Sequence, residues 1–182
     1  MQWRDQLSIP NILSVFRLLL IPAFVVTYLM VGDEAIIWPA LILVVSGLTD
    51  IADGIIARKF NMVTQLGKIL DPLADKLTIA AVCTALTIRH HALIYLLVIY
   101  VAKELLMIGG GAVLMHAGVK IQSAKWFGKL ATCVLYAAMF IVIVYPGIEE
   151  WMLFTLIGVC AVVVLFALAM YIPEFLKMKK SQ

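Results

Sequence analysis

Four aspartates stand out because of where they fall. Asp50 and Asp53 are three residues apart, and Asp71 and Asp75 are four apart. Either spacing puts both carboxylates on one face of a helix. Gly54, Ala57 and Arg58 continue the first face, and Gly67 lies one turn before Asp71. Two helices joined by a short loop run antiparallel, so all four carboxylates can meet at one depth. Such a cluster repels itself unless it is protonated, paired with basic groups or bridged by metal. Hard divalent cations with oxygen ligands suit it, and two can share bridging carboxylates about 3.5–4 Å apart. Mg²⁺ often completes its shell with substrate phosphates. Glycine leaves room for a base or a diphosphate to approach the backbone. A plainer reading exists for single residues. Asp71-Pro72 has the form of a helix N-cap followed by proline at the first helical position, and Arg58, Lys59 and Lys68 have the form of interfacial anchors.

The surroundings make these charges informative. The chain has 182 residues, 64% hydrophobic and only 14% charged, with a formal net charge of +3. Its mean hydropathy is +1.07. That excludes an ordinary soluble domain, a disordered chain and a nucleic-acid-binding module. A membrane span needs about 20 mostly apolar residues. Six fit, over Pro10–Val31, Ala35–Arg58, Lys68–Ile88, Ala92–Ala117, Trp126–Tyr145 and Trp151–Phe175. The expected fold is all-α, a polytopic six-transmembrane-helix bundle forming one domain over residues 1–182. Arg17 interrupts the first apolar run, which reads as a retained helix rather than a signal peptide. Cys83, Cys133 and Cys160 lie in apolar runs, consistent with packing.

Basic residues set the expected orientation. One side collects Arg4, Arg58, Lys59, Lys68, Lys120, Lys125, Lys129, Lys177, Lys179 and Lys180. The other has Arg89, beside Asp33, Glu34, Glu149 and Glu150. Both termini and the aspartates are therefore expected on the cytoplasmic side. Trp3, Trp38, Trp126 and Trp151 fall near span ends, where indoles prefer the headgroup region. Charges inside spans cost roughly 2.5–3.5 kcal/mol each at a helix centre. Those carried here are Arg17, Asp50, Asp53, Asp71, Asp75, Lys76, Lys103, Glu104 and Lys129. A small ion or proton transporter is one reading of such carboxylates. They cluster at one face, however, and no acidic residue continues the path outward.

The run from Asp50 to Arg58, eight intervening residues, and the run from Gly67 to Asp75 together resemble the CDP-alcohol phosphatidyltransferase signature. All eight signature positions carry the residue that pattern asks for. The Ile9–Arg17 and Leu70–Lys76 runs look like the branch that makes phosphatidylglycerophosphate or, by a related reaction, cardiolipin.

The resemblance implies a transferase of the cell membrane. It would move the phosphatidyl group from CDP-diacylglycerol to a phosphate-bearing alcohol acceptor and release CMP. Glycerol 3-phosphate is the preferred acceptor, with phosphatidylglycerol the alternative. Asp50, Asp53, Asp71 and Asp75 would hold two divalent cations, Mg²⁺ or Mn²⁺, and Asp75 would also be the general base. Gly54, Ala57 and Gly67 would make room for the cytidine diphosphate. Arg58 would either contact phosphate or brace the aspartates. Lys103, Lys129 and Arg17 are candidates for the acceptor phosphate. A homodimer is implied as well.

The chain departs from the glycerophosphate branch at three places. Lys103-Glu104 stands where that branch has Arg-Glu, and Gly109-Gly110-Gly111 where it has a further Arg. Gly128-Lys129-Leu130-Ala131-Thr132 replaces Gly-Lys-x-Lys-Thr. A missing arginine fork weakens bidentate phosphate binding. Lys120 and Lys125 suit a loop facing anionic headgroups, His116 an interfacial position, and His90 and His91 the far side from the site.

Overall fold

The computed structural model of the chain describes residues 8–30, 35–60, 62, 64–116 and 126–180, with side chains at 8–30, 35–60, 62, 64–67, 69–110 and 126–171. The expectations for Trp3, Arg4, Asp33, Glu34, Lys120 and Lys125 lie outside the described residues, as do those for the side chains of Lys68, Gly111, His116, Lys177, Lys179 and Lys180.

Six long helices appear in order: α1 (Ile9–Met30), α2 (Ile37–Lys59), α3 (Gly67–Arg89), α4 (Ile94–His116), α5 (Trp126–Val144) and α6 (Glu150–Lys180). A short 3-10 turn, His91–Leu93, leads into α4. The described residues contain no strand. The all-helical expectation is met, and the protein is a multi-pass membrane protein. Five of the helices are long and apolar enough to cross a bilayer, all but α3. The exception is chemical: Lys68, Asp71, Asp75 and Lys76 occupy the first half of α3. Its 23 residues still reach about 34 Å at the usual helical rise.

The chain divides into two compact units. The first is Met1–Leu86 with Ile143–Pro146, and the second is Thr87–Val142 with Gly147–Gln182.

In the first unit α1 packs on α2. Ser14 and Arg17 of α1 reach Asp50 and Asp53 late in α2. Leu20 and Phe24 line a small cavity with Leu43 and Ser46, earlier in α2. α1 and α2 are therefore antiparallel. Thr78 and Val82 line the same cavity, while Ser14 bonds Asp71, so α3 runs parallel to α1. Phe24 and Tyr28, one turn apart, stack with centroids 5.7 Å apart and bury fully.

In the second unit α4 packs on α6. The buried positions of α6 are Leu153, Ile157, Cys160, Val164 and Ala167. Their alternating spacing of four and three draws one stripe along the helix. Between them Val162 and Leu165 are 67% and 63% exposed. Phe127 of α5 meets Tyr171 of α6 edge to face at 4.6 Å. Gly128 allows that approach, since a Cβ there would lie 2.5 Å from the Tyr171 hydroxyl oxygen.

Both units are inverted relative to a soluble protein. Large aliphatic side chains face outward along every helix, whereas Asn11, Ser14, Arg17, Ser46, Asp53, Thr78 and Lys103 are buried. Lipid solvates the first set and cannot solvate the second, so polar groups turn inward and find partners there.

Candidate active site

The site is assembled from α1, α2 and α3 of the first unit. Arg17 is its centre and is 1% exposed. Its Nη1 lies 2.5 Å from Asp50 Oδ1 and its Nη2 2.8 Å from Asp53 Oδ2. Its Nε and Nη1 are both buried and make no hydrogen bond among the described residues, so Nη1 meets Asp50 as an ion pair. Asp50 is 46% exposed at its side chain and Asp53 only 3%. One guanidinium thus spans two carboxylates one helical turn apart, a geometry that suits the planar fork of arginine.

Ser14 sits one turn before Arg17 and is fully buried. Its Oγ lies 2.5 Å from Asp71 Oδ1 and 3.4 Å from Asp53 Oδ2. It also lies 3.0 Å from the Pro10 carbonyl. A hydroxyl has one proton to donate, and the shortest contact identifies Asp71 as its main acceptor. Through Ser14 the carboxylates of α2 and α3 come together. Asp75 lies one turn further along α3 and is half-buried.

Asn11 completes the polar face of α1. Its Nδ2 donates to Thr64 Oγ1 at 2.9 Å. Thr64 Oγ1 lies 3.0 Å from Asn11 Oδ1 and accepts the Gly67 N–H at 2.9 Å. A threonine oxygen accepting the amide three residues on is an N-cap. Thr64, and not Asp71, therefore caps α3, and Leu70 N–H already bonds the Leu66 carbonyl. Asp71-Pro72 falls inside the helix, which frees the Asp71 carboxylate for the cluster. Gly67 also has a packing role. A Cβ there would stand 2.7 Å from Asn11 Oδ1 and 3.1 Å from Thr64 Oγ1, so its small size serves the contact between α1 and α3.

Arg58 is exposed and its Nε donates to the Gly54 carbonyl at 2.9 Å. It forms no ion pair with the aspartates. A Cβ on Gly54 would meet only Arg58 Nη2, at an ordinary 3.4 Å. Gly54 and Ala57 are half-buried on the same helix. In the second unit Lys103 is buried and pairs with Glu104 at 2.7 Å, although the two are adjacent on α4. Its Nζ also lies 5.9 Å from the Tyr100 ring centroid. Lys129 of α5 is exposed. Asn11, Ser14 and Thr64 escaped the sequence reading. The signal for the first two was present: Asn11, Ser14 and Arg17 are the polar residues between Ile9 and Val26, each three apart.

The donor set is all hard oxygen, as a divalent cation requires. Among the described residues no three acidic, histidine or cysteine side chains yet close on a single point. Arg17 supplies the positive charge between Asp50 and Asp53. Asp50, Asp53, Asp71 and Asp75 are the residues whose carboxylate oxygens could hold a divalent cation.

The comparisons with known proteins show the family. The CDP-alcohol phosphatidyltransferase family model matches residues 7–172. The chain belongs to that family. It is 31% identical over 171 residues to a CDP-diacylglycerol--glycerol-3-phosphate 3-phosphatidyltransferase of Salmonella typhimurium, covering 92% of this chain and 94% of that one. It is 34% identical over 137 residues to the enzyme of that name from Bacillus subtilis, covering 69% and 70%. A CMP-forming cardiolipin synthase of Streptomyces coelicolor is 33% identical over 144 residues, covering 78% of this chain and 67% of its own. A family of transferases displaces the transporter reading of the buried carboxylates.

Proposed function

We propose that the protein transfers the phosphatidyl group from CDP-diacylglycerol to glycerol 3-phosphate, giving phosphatidylglycerophosphate and CMP. The likeness to the Salmonella enzyme along nearly the full length of both chains carries this choice of acceptor. The cluster of Asp50, Asp53 and Asp71 around Ser14 and Arg17 supports the chemistry.

Asp50, Asp53, Asp71 and Asp75 would hold the divalent cations, Mg²⁺ or Mn²⁺. Bound there, they would supply charge neutralisation to the donor's diphosphate and to the phosphate on which CMP leaves. The residues of the chain do the rest. Asp75 takes the proton from the acceptor hydroxyl, which then attacks the phosphorus bearing the diacylglycerol. Arg58 has an exposed guanidinium and reaches for the donor's phosphates beside Gly54 and Ala57. Lys103 and Lys129 are the candidates for the acceptor phosphate. For Lys103 that role means giving up Glu104. Arg17, also a candidate for the acceptor phosphate by sequence, already pairs both terminal nitrogens with aspartates. The basic-residue asymmetry supports a site and both termini on the cytoplasmic side of the cell membrane. The family resemblance implies a single domain that works as a homodimer.

Phosphatidylglycerol is the second reading of the acceptor. The Streptomyces relative's name and the replacement of Arg by Lys103 and by the Gly109–Gly111 triplet favour it. Purified protein given radiolabelled CDP-diacylglycerol, Mg²⁺ and each acceptor separately decides the matter. CMP and phosphatidylglycerophosphate with glycerol 3-phosphate are the expected products. Release with phosphatidylglycerol alone would transfer the assignment to cardiolipin synthesis.

A further inference from the structure

Between Ile9 and Val26 the polar residues of α1 are Asn11, Ser14 and Arg17, and all are buried, at 4%, 0% and 1% exposure. Ser14 and Arg17 reach one oxygen on each of three aspartates. These are Asp50 Oδ1, Asp53 Oδ2 and Asp71 Oδ1. The second oxygen of each, Asp50 Oδ2, Asp53 Oδ1 and Asp71 Oδ2, accepts no hydrogen bond among the described residues. On each of these three carboxylates one oxygen is held, by an ion pair on Asp50 and by hydrogen bonds on Asp53 and Asp71, and the other accepts no hydrogen bond among the described residues.

We infer that Ser14 and Arg17 are positioning residues that orient Asp50, Asp53 and Asp71 so that one oxygen of each is offered for ligation. The inference rests on the reading of these aspartates as cation ligands. An ionised carboxylate without a partner turns about its terminal bond and presents either oxygen. A donor fixed on one oxygen removes that freedom before the ligand arrives, and partners behind the ligands of a metal commonly set its affinity. Arginine is required rather than any cation, because its fork reaches two carboxylates at once and a lysine point charge does not. Serine acts without adding charge. Asn11 supports the arrangement from a turn away by tying Thr64 and the start of α3 to α1.

A purely structural role for the α1 stripe predicts loss of stability with unchanged cation binding. The test separates the two. Mn²⁺ binding to the purified full chain in detergent, without substrates, is followed by electron paramagnetic resonance, with a melting curve of each metal-free variant beside it. Ser14→Ala and Arg17→Lys preserve the charge of the site and are expected to weaken Mn²⁺ binding about 10-fold. Transfer activity lost at a limiting Mn²⁺ concentration is expected to return as Mn²⁺ is raised by that factor. Asp53→Asn serves as the ligand control. If Asp53→Asn weakens binding while Ser14→Ala and Arg17→Lys bind as the wild type does, positioning is overturned and the cation site stands. If Asp53→Asn also binds unchanged, the cation site falls and positioning with it. Lower melting temperatures with an unshifted Mn²⁺ curve would likewise reject positioning.

Discussion

A buried arginine in an apolar helix is costly, and its partners explain why it is kept. Removing one member of a buried ion pair leaves the other charge stranded, at about 3–5 kcal/mol. Arg17→Leu strands Asp53, which is 3% exposed. It is expected to lose stability of about that size, read as a large drop in melting temperature in detergent. Arg58→Ala removes an exposed side chain whose described bond is to its own helix. That variant is expected to melt like the wild type while its KM for the donor rises. Asp75→Asn is expected to abolish transfer and leave donor binding intact. Transfer at the wild-type rate in that variant would refute the base assignment. At this scale the meeting of Asp50, Asp53 and Asp71 was legible in the sequence because lipid makes charge rare and spacing then speaks. The duty of Arg17 was not legible. A sequence shows that an arginine lies in α1 but not that α2 presents two carboxylates to it.

Among the elements, α3 shows what spacing alone misses. The pair Asp71-Pro72 looks like a helix start, yet the helix begins a turn and a half earlier because Thr64 caps it and Asn11 holds Thr64. The partner that decides the start is 53 residues away in sequence, beyond the reach of any local pattern. The contrast between two glycines measures this contact. Gly67→Ala puts a Cβ against Asn11 Oδ1, which Thr64 holds in place. Overpacking of this kind typically costs about 1–3 kcal/mol, and it would displace Asp71 as well. Gly47→Ala in α2 meets nothing within 4 Å and gains helix propensity of up to about 1 kcal/mol. Melting curves are expected to move down for the first and level or up for the second. The spans themselves were legible, since continuous apolar runs of this length have no other use. The polar first half of α3, with Asp71 and Asp75, is what sets it apart from the five helices apolar enough to cross a bilayer.

For the molecule as a whole, orientation rests on basic residues gathered at alternate span ends. A fluorescent protein fused after Gln182 is expected to glow, and alkaline phosphatase fused there to stay inactive. The opposite pattern would place the carboxylate cluster away from a soluble acceptor. The inverted distribution, apolar outside and polar within, follows from composition. The division of the chain into two units does not, because apolar runs carry no record of which helices they pack against.

We propose that these carboxylates serve phosphatidyl transfer. Its most direct measurement is CMP release from CDP-diacylglycerol by the purified protein, with glycerol 3-phosphate and Mg²⁺ present and then with each withheld. Release that needs all three, and that disappears in Asp71→Asn, is the predicted result. No Mg²⁺-dependent CMP release with any alcohol acceptor would contradict it.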